Sequence, residues 1–398
     1  MKTKERVPDW LENEPLGDIE RIDLLTVSLP FVAPFGTSVA TWSCKEALLV
    51  RLEDKGITAW GECVADPDPY YASETTVSAA FIIKNFLLPE LKPELSLAGL
   101  LDRWKRVRGN EMARAALENA LLDLLAKRRG VPLHALLGFA AKRVMSGISI
   151  GLQESIPALL DKVQEAVESG YHRVKMKIGR GHDVEWVKAV RERFPRLALM
   201  ADANGDYSLE DSGLLARLDE FALTMIEQPL SYHDIYQHSL LQARLQTPLC
   251  LDESLHSVDD AAAAIALKSC RVINIKQGRV GGMLAAVQMA RLCGEHGIPA
   301  WSGGMDETGI GRALNIQLQS APGFTLPGDT SETRRYFKED IVEPPVVLDK
   351  EGFIAMPQGA GIGVDVVEAK VAKFLLDRER VHKHGVAVRQ KAKGKSKN

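Results

Sequence analysis

Two rhythms of apolar residues divide the chain near residue 142. Before it, short runs rich in Val, Ile and Leu (IDLLTVSLP, EALLVRL, ITAWGEC) read as strands, and the helical stretches TTVSAAFIIKNFLLPEL and ARAALENALLDLLAKRRG follow them. The second stretch stops at Gly130, as helices often do. Strands first and helices afterwards predict an α+β domain. After residue 142 the two types alternate. MSGISIGL, RVKMKIG, LALMADAN, LTMIEQP, PLCLDES, VINIKQG, IPAWSGG and FTLPGDT are strand candidates, with amphipathic segments such as ALLDKVQEAVESG and VEWVKAVRERF between most of them. Eight such strands predict an α/β fold, a (β/α) TIM-type barrel with an α+β N-terminal capping domain. The expected layout is an N-terminal extension (1–19), the cap (20–141) and the barrel with the active site (142–344). A segment 345–370 returns to the cap through a strand pair around Asp349-Lys350-Glu351-Gly352, and a basic, disordered tail (371–398) ends the chain.

Three of the apolar runs end in a carboxylate at a constant step. Asp202 closes LALMAD, Glu227 closes ALTMIE and Asp252 closes TPLCLD, each 25 residues after the last. That step is one strand, one helix and two loops, so the acids fall at the same point of three consecutive barrel units. Neighbouring strands lie about 4.8 Å apart, which lets the three acids reach one cation with oxygen ligands at about 2.0 to 2.1 Å. An all-oxygen donor set, without His or Cys, favours Mg²⁺, or Mn²⁺ in its place, over Zn²⁺. Helix capping or loop ion pairing would explain any one acid alone, but not the constancy of three.

Lys177 precedes Asp202 by 25 residues and Lys276 follows Asp252 by 24. On strands two and six of eight these lysines face each other, with the three acids on the wall between. Lys175 and Lys177 point the same way on one strand, and mutual repulsion is expected to lower their pKa toward that of a usable base. A positioned base supplies about 10² to 10⁴ in rate, or roughly 3 to 5 kcal/mol. Forming an enolate next to a carboxylate needs more, and a divalent cation can supply it. The expected reaction class is abstraction of a proton α to a carboxylate.

Composition adds boundaries. With 398 residues, 45% hydrophobic and 26% charged, the chain suits a two-domain globular protein, and a net charge of -3 argues against a nucleic-acid partner. Seven basic residues lie between Arg380 and Lys397, and a solvated tail is the expected reading. Five cysteines without a CxxC pair, no signal-like start and no run near eighteen apolar residues predict a reduced, cytoplasmic protein without a membrane partner. A homo-oligomer acting on a small-molecule carboxylate is expected.

The motifs KMK (175–177), DAN (202–204), IEQP (226–229), LDES (251–254) and NIKQGRVGG (274–282) resemble the enolase superfamily and its muconate-lactonizing subgroup. With GGMDETGIGRALN and FTLPGDTSE, the resemblance narrows to the branch of o-succinylbenzoate synthases and N-succinylamino acid racemases, over roughly residues 20 to 370. It implies that Asp202, Glu227 and Asp252 bind Mg²⁺, that Lys177 and Lys276 are the acid/base pair and that Lys175 assists Lys177. It also implies that Arg279 tunes Lys276 as its neighbour, and that Asn204, Ser302, Gly303, Gly304 and Met305 touch the substrate or stand directly behind the residues that do. A mobile lid over Phe31 to Thr41, including Phe35 and Thr37, would set specificity.

The implied function is o-succinylbenzoate synthase, a dehydratase of menaquinone biosynthesis. The alternative is N-succinylamino acid racemase by a two-base mechanism, and both activities in one enzyme are open. Gly36, Gln277 and Asp306 depart from the family pattern. Asp306 is read as a charge at the start of the helix near Thr308 rather than as a pocket acid. A dipeptide epimerase or lactonizing enzyme fits GGMDETGIG less well. More distant readings are a Schiff-base aldolase using Lys276 or a non-catalytic scaffold. The glycine-rich GAGIGV at 359–364 lacks the context of a phosphate loop.

Overall fold

The computed structural model describes residues 9–36, 41–381 and 388–391. In the cap, β1 (Arg21–Gly36), β2 (Thr41–Asp54) and β3 (Ile57–Cys63) pair antiparallel. The helix Glu111–Arg128, buried from Met112 almost continuously to Ala126, packs on this sheet. Gly61 on β3 permits the approach, because an added Cβ would stand 2.1 Å from the Ala116 carbonyl oxygen. Leu16 and Ile19, in the expected N-terminal extension, are buried in the same core.

After the short β4 (Arg143–Met145), seven parallel strands follow in sequence order. They are β5 (Gly147–Ile150), β6 (Arg173–Lys177), β7 (Leu199–Asp202), β8 (Ile226–Glu227), β9 (Leu249–Leu251), β10 (Val272–Ile275) and β11 (Ala300–Ser302). Helices between them bury one stripe each; Ile156–Glu168 buries Leu159, Val163 and Ala166 and is capped by Ser155. Inward-facing Met200, Met225, Cys250, Val272 and Trp301 pack into a cluster that fills the barrel beneath the acids.

The expected eighth strand, FTLPGDT, is not one. Pro327 has no N–H to continue a ladder, and the segment instead makes isolated bridges, Phe324 to Ala300 and Gly328 to Ser146. Gly147 N donates to Gly328 O at 2.7 Å and Asp329 N to Ser302 O at 2.9 Å, so the segment ties β11 to β5 without a regular strand.

In the C-terminal part, Leu348 bridges Ile354 across the 349–352 turn, and Gly361 and Ile362 bond to Val131, Leu133 and Asp123 of the cap. β12 (Val342–Glu343) pairs with β14 (Asp365–Val366), and β13 (Phe353–Ala355) pairs with β4 beside the barrel. The start of the expected disordered tail is structured. The helix Glu368–Phe374 leads into β15 (Leu375–Val381), which pairs with β1, and β16 (Val388–Lys391) pairs with β15. The cause is Asp23, a fully buried carboxylate on β1, which Arg378 and Arg380 of β15 reach at 2.6 and 3.4 Å.

Two cap carboxylates fasten the cap to barrel helices. Glu62 of β3 accepts from Thr308 N and Gly311 N at the start of the helix Gly309–Leu318, and Glu118 accepts from Leu284 N at the start of Met283–Glu295. Buried Gln277 joins the same interface, accepting from Asn119 of the cap at 2.6 Å. None of the helices among the described residues is long and apolar enough to cross a membrane.

Candidate active site

Parallel register sets the height of each acid. Lys177 pairs with Asp202 and Asp202 with Glu227, while Glu227 pairs with Cys250, so Asp252 stands two residues further along, just past β9. All three carboxylates are at most 1% exposed. Lys177 on β6 and Lys276 after β10 stand at the two ends of this row, with β7, β8 and β9 between them.

Each acid engages a cation. Lys177 Nζ lies 2.6 Å from Asp202 Oδ2 and 2.5 Å from Asn204 Oδ1. Lys175 Nζ reaches Glu227 at 2.9 Å, Asp202 at 3.2 Å and Asp329 at 2.8 Å. Lys276 Nζ reaches Asp252 Oδ2 and Tyr71 Oη, both at 2.8 Å. Arg279 takes the other oxygen of Asp252 at 2.8 Å and also reaches Tyr71 Oη at 3.1 Å, so it shares both partners with Lys276. Asn274 donates to Glu227 Oε1 at 2.7 Å, and Asn204 to Glu253 Oε1 at 2.7 Å. Asn204 and Gln228, which follow the acids of β7 and β8, adopt left-handed backbone at φ 44 and 38.

These contacts overturn one expectation. Burial alone would lower the Lys175 ammonium pKa, but Asp329, Glu227 and Asp202 outweigh it and hold the pKa well above the ordinary lysine value. Lys276 is likewise raised, because Asp252 and Tyr71 outweigh burial. The carboxylates, not the neighbouring ammonium, dominate.

Among the described residues no three acidic, histidine or cysteine side chains form a group that could hold a metal ion as they stand. Lysine ammoniums sit against the acids instead. The donor set nevertheless fits a hard cation: three buried carboxylates on adjacent strands, all oxygen. Burial, and after it the neighbouring Asp202 and Asp252 carboxylates, push the Glu227 carboxyl pKa up. Glu253 Oε2 and Asn274 Oδ1 are buried without a hydrogen-bond partner among the described residues.

A cavity opens over the lysines. Lys175, Lys177, Asp202, Asn204 and Lys276 line it from the barrel, Phe31, Trp42 and Tyr71 from the cap. In the loop after β11, Gly304 and Met305 line it, whereas Ser302, the last residue of β11, and Gly303 are buried and do not. Gly303 leaves room for its neighbours, since an added Cβ would stand 2.3 Å from Asn274 Oδ1 and 2.8 Å from Lys276 Cε.

The expected lid is drawn differently at its shoulders: Phe31–Gly36 ends β1 and Thr41 starts β2, with Phe35 paired through its backbone to Trp42. Thr37 lies outside the described residues. Gly36 abuts the loop after β5, where a Cβ on Gly151 would meet Gly36 O at 2.7 Å. Asp306 does not cap the following helix. That role falls to Thr308 and Glu62, and Asp306, at φ 54, lines the cavity, where burial raises its carboxyl pKa.

Sequence reasoning missed Tyr71, Asp329, Lys45 and Asp66. Asp329 carried a usable signal, an acid ending the eighth apolar run. Tyr71 lies in a cap loop with no spacing pattern. Lys45 and Asp66, paired at 2.9 Å on the cavity wall, become neighbours only through the fold.

The comparisons agree with this architecture. Residues 21–138 match the mandelate racemase / muconate lactonizing enzyme N-terminal domain, and residues 158–370 match the enolase C-terminal domain-like family. An o-succinylbenzoate synthase of Geobacillus kaustophilus is 44% identical over 93% of this chain and 99% of its own length. An N-succinylamino acid racemase of Amycolatopsis sp. is 45% identical over 86% of this chain and 94% of its own. The crystal structure of an enolase superfamily member from Listeria innocua superposes with a TM-score of 0.88 at 40% identity, covering 92% of this chain and 99% of that one. With both domain families matched in order and relatives this similar along nearly their whole length, the chain belongs to the enolase superfamily, in the mandelate racemase / muconate lactonizing enzyme family.

Proposed function

We propose that this protein is an o-succinylbenzoate synthase, which removes an α-proton from a cyclohexadiene carboxylate and eliminates water to give o-succinylbenzoate. The observation that carries the reading is the row of three buried carboxylates flanked by Lys177 and Lys276 under one cavity, in a chain similar over most of its length to several o-succinylbenzoate synthases. Asp202, Glu227 and Asp252 would hold Mg²⁺, or Mn²⁺ in its place. Such a cation, when bound, supplies positive charge beside the substrate carboxylate as the leaving proton adds a second negative charge to it.

Lys177, as the neutral amine, takes the α-proton, with Asn204 orienting its nitrogen. The ammonium so formed then gives the proton to the departing hydroxyl on the same face, so one C–H and one C–O bond are exchanged for a C=C bond and water. Lys276 stays an ammonium on the opposite face and stabilises the developing charge. The five cysteines, unpaired in the structure, support a reducing, cytoplasmic setting.

A second reading is racemisation of N-succinylamino acids, in which Lys276 delivers a proton to the face opposite Lys177. It is favoured by the equivalent burial of the two lysines and by the similarity to the racemases of Amycolatopsis and Thermus thermophilus. The two are separated by incubation with Mg²⁺ in D₂O, once with the cyclohexadiene precursor and once with N-succinyl-L-phenylalanine. Dehydration of the first supports the synthase, and exchange with inversion of the second supports the racemase. Lys177→Ala should abolish both, Lys276→Ala the racemisation. Absence of conversion and exchange with either substrate sinks both readings.

A further inference from the structure

Arg173, Lys175 and Lys177 alternate along β6, so three cations share its inward face. Arg173 is 2% exposed; its guanidinium is bonded to Asp329 Oδ1 and lies over the Trp301 ring at 4.5 Å. Asp329 Oδ2 accepts from Lys175 at 2.8 Å, and Lys175 Nζ stands 5.1 Å over the same ring. Gly147 on β5 makes room for this group, since a Cβ there would stand 2.3 Å from Arg173 Nη2.

Of the three carboxylates on Lys175, Asp202 and Glu227 belong to the proposed cation site. Asp329 alone stands outside it, on the segment that ties β11 to β5. Lys175 and Lys177 also reach for one oxygen, Asp202 Oδ2, at 3.2 and 2.6 Å. Without Asp329, Lys175 would lean further onto that oxygen and displace Lys177. Lys276, on the opposite wall, bonds instead to Asp252 Oδ2 and Tyr71 Oη.

We infer that Arg173 and Asp329 are positioning residues that hold Lys175 clear of Lys177 from the closing seam of the barrel; the inference rests on the proposed lysine chemistry. Its expected signature is one-sided, because Lys177 shares the Asp202 Oδ2 oxygen with Lys175 and Lys276 does not.

The test uses the full-length enzyme with Mg²⁺ in D₂O and N-succinyl-L- and N-succinyl-D-phenylalanine, with α-proton exchange followed by NMR. Lys177→Ala identifies the enantiomer that Lys177 deprotonates. Asp329→Asn and Arg173→Met should slow exchange of that enantiomer by roughly 10- to 100-fold and leave the other within about threefold. Arg173→Lys should restore part of the loss. Equal losses for both enantiomers, or none, overturn the inference. If the unsubstituted enzyme exchanges neither, the racemase reading fails, and the crystal structure of Asp329→Asn decides this question separately: Lys175 Nζ shifted from Glu227 toward Asp202 supports the positioning role, and an unmoved Lys175 refutes it.

Discussion

Replacing Glu62 by Gln tests how the cap is fastened to the active-site loop. Glu62 is fully buried and accepts from Thr308 N at 2.9 Å, Thr308 Oγ1 at 2.6 Å and Gly311 N at 2.8 Å. Burial outweighs these donors and pushes its carboxyl from 4.5 up to about 7. Between those values the folded protein keeps a proton that the unfolded chain has lost, so stability falls as pH rises through the window. At about 1.4 kcal/mol per unit the loss amounts to about 3 kcal/mol. Gln keeps one of the two acceptor oxygens and cannot ionise, so its variant lacks this slope. Urea unfolding at pH 5, 6, 7 and 8 should show the unsubstituted protein losing about 2.5 kcal/mol relative to Glu62→Gln across the series. A difference constant to within about 0.5 kcal/mol would mean that the helix N-terminus holds Glu62 ionised throughout, and the reasoning from burial would be wrong.

Gly303→Ala places a methyl against Asn274 and Lys276; kcat should fall by about 10²-fold with folding retained by circular dichroism, and unchanged kcat would refute the packing argument. Adding Mg²⁺ at 100 times its Kd should stabilise the protein by about 2.7 kcal/mol in thermal melts, and Asp252→Asn should remove most of that gain. Asp306→Leu should raise kcat/KM about tenfold for substrates with an apolar arm at that wall, read from a panel of N-succinylamino acids. Equal effects across the panel would show that Asp306 does not face the substrate.

Much of the site was legible because it is built on a repeat. A strand, helix and loops of fixed length bring Lys177, Asp202, Glu227, Asp252 and Lys276 to one end of the barrel, and counting recovers them. The eighth strand misled because FTLPGDT has strand-like apolarity, while its pairing depends on Pro327 and on what β5 and β11 offer. The disordered tail misled because the buried Asp23 that recruits Arg378 and Arg380 lies more than 350 residues earlier. Asp306 was misread because Glu62, from another domain, already serves the helix it precedes.

The sequence by itself determined the two-domain α/β plan and the acid and lysine frame, which are written in local periodicity and spacing, and its motifs carried the resemblance to the family. Tertiary structure alone decided that Tyr71 bridges Lys276 and Arg279, that Asp329 shares itself between Arg173 and Lys175, and that carboxylates raise the Lys175 pKa. A side chain's charge state and partners depend on what surrounds it in space, and residues far apart in the chain supply those surroundings.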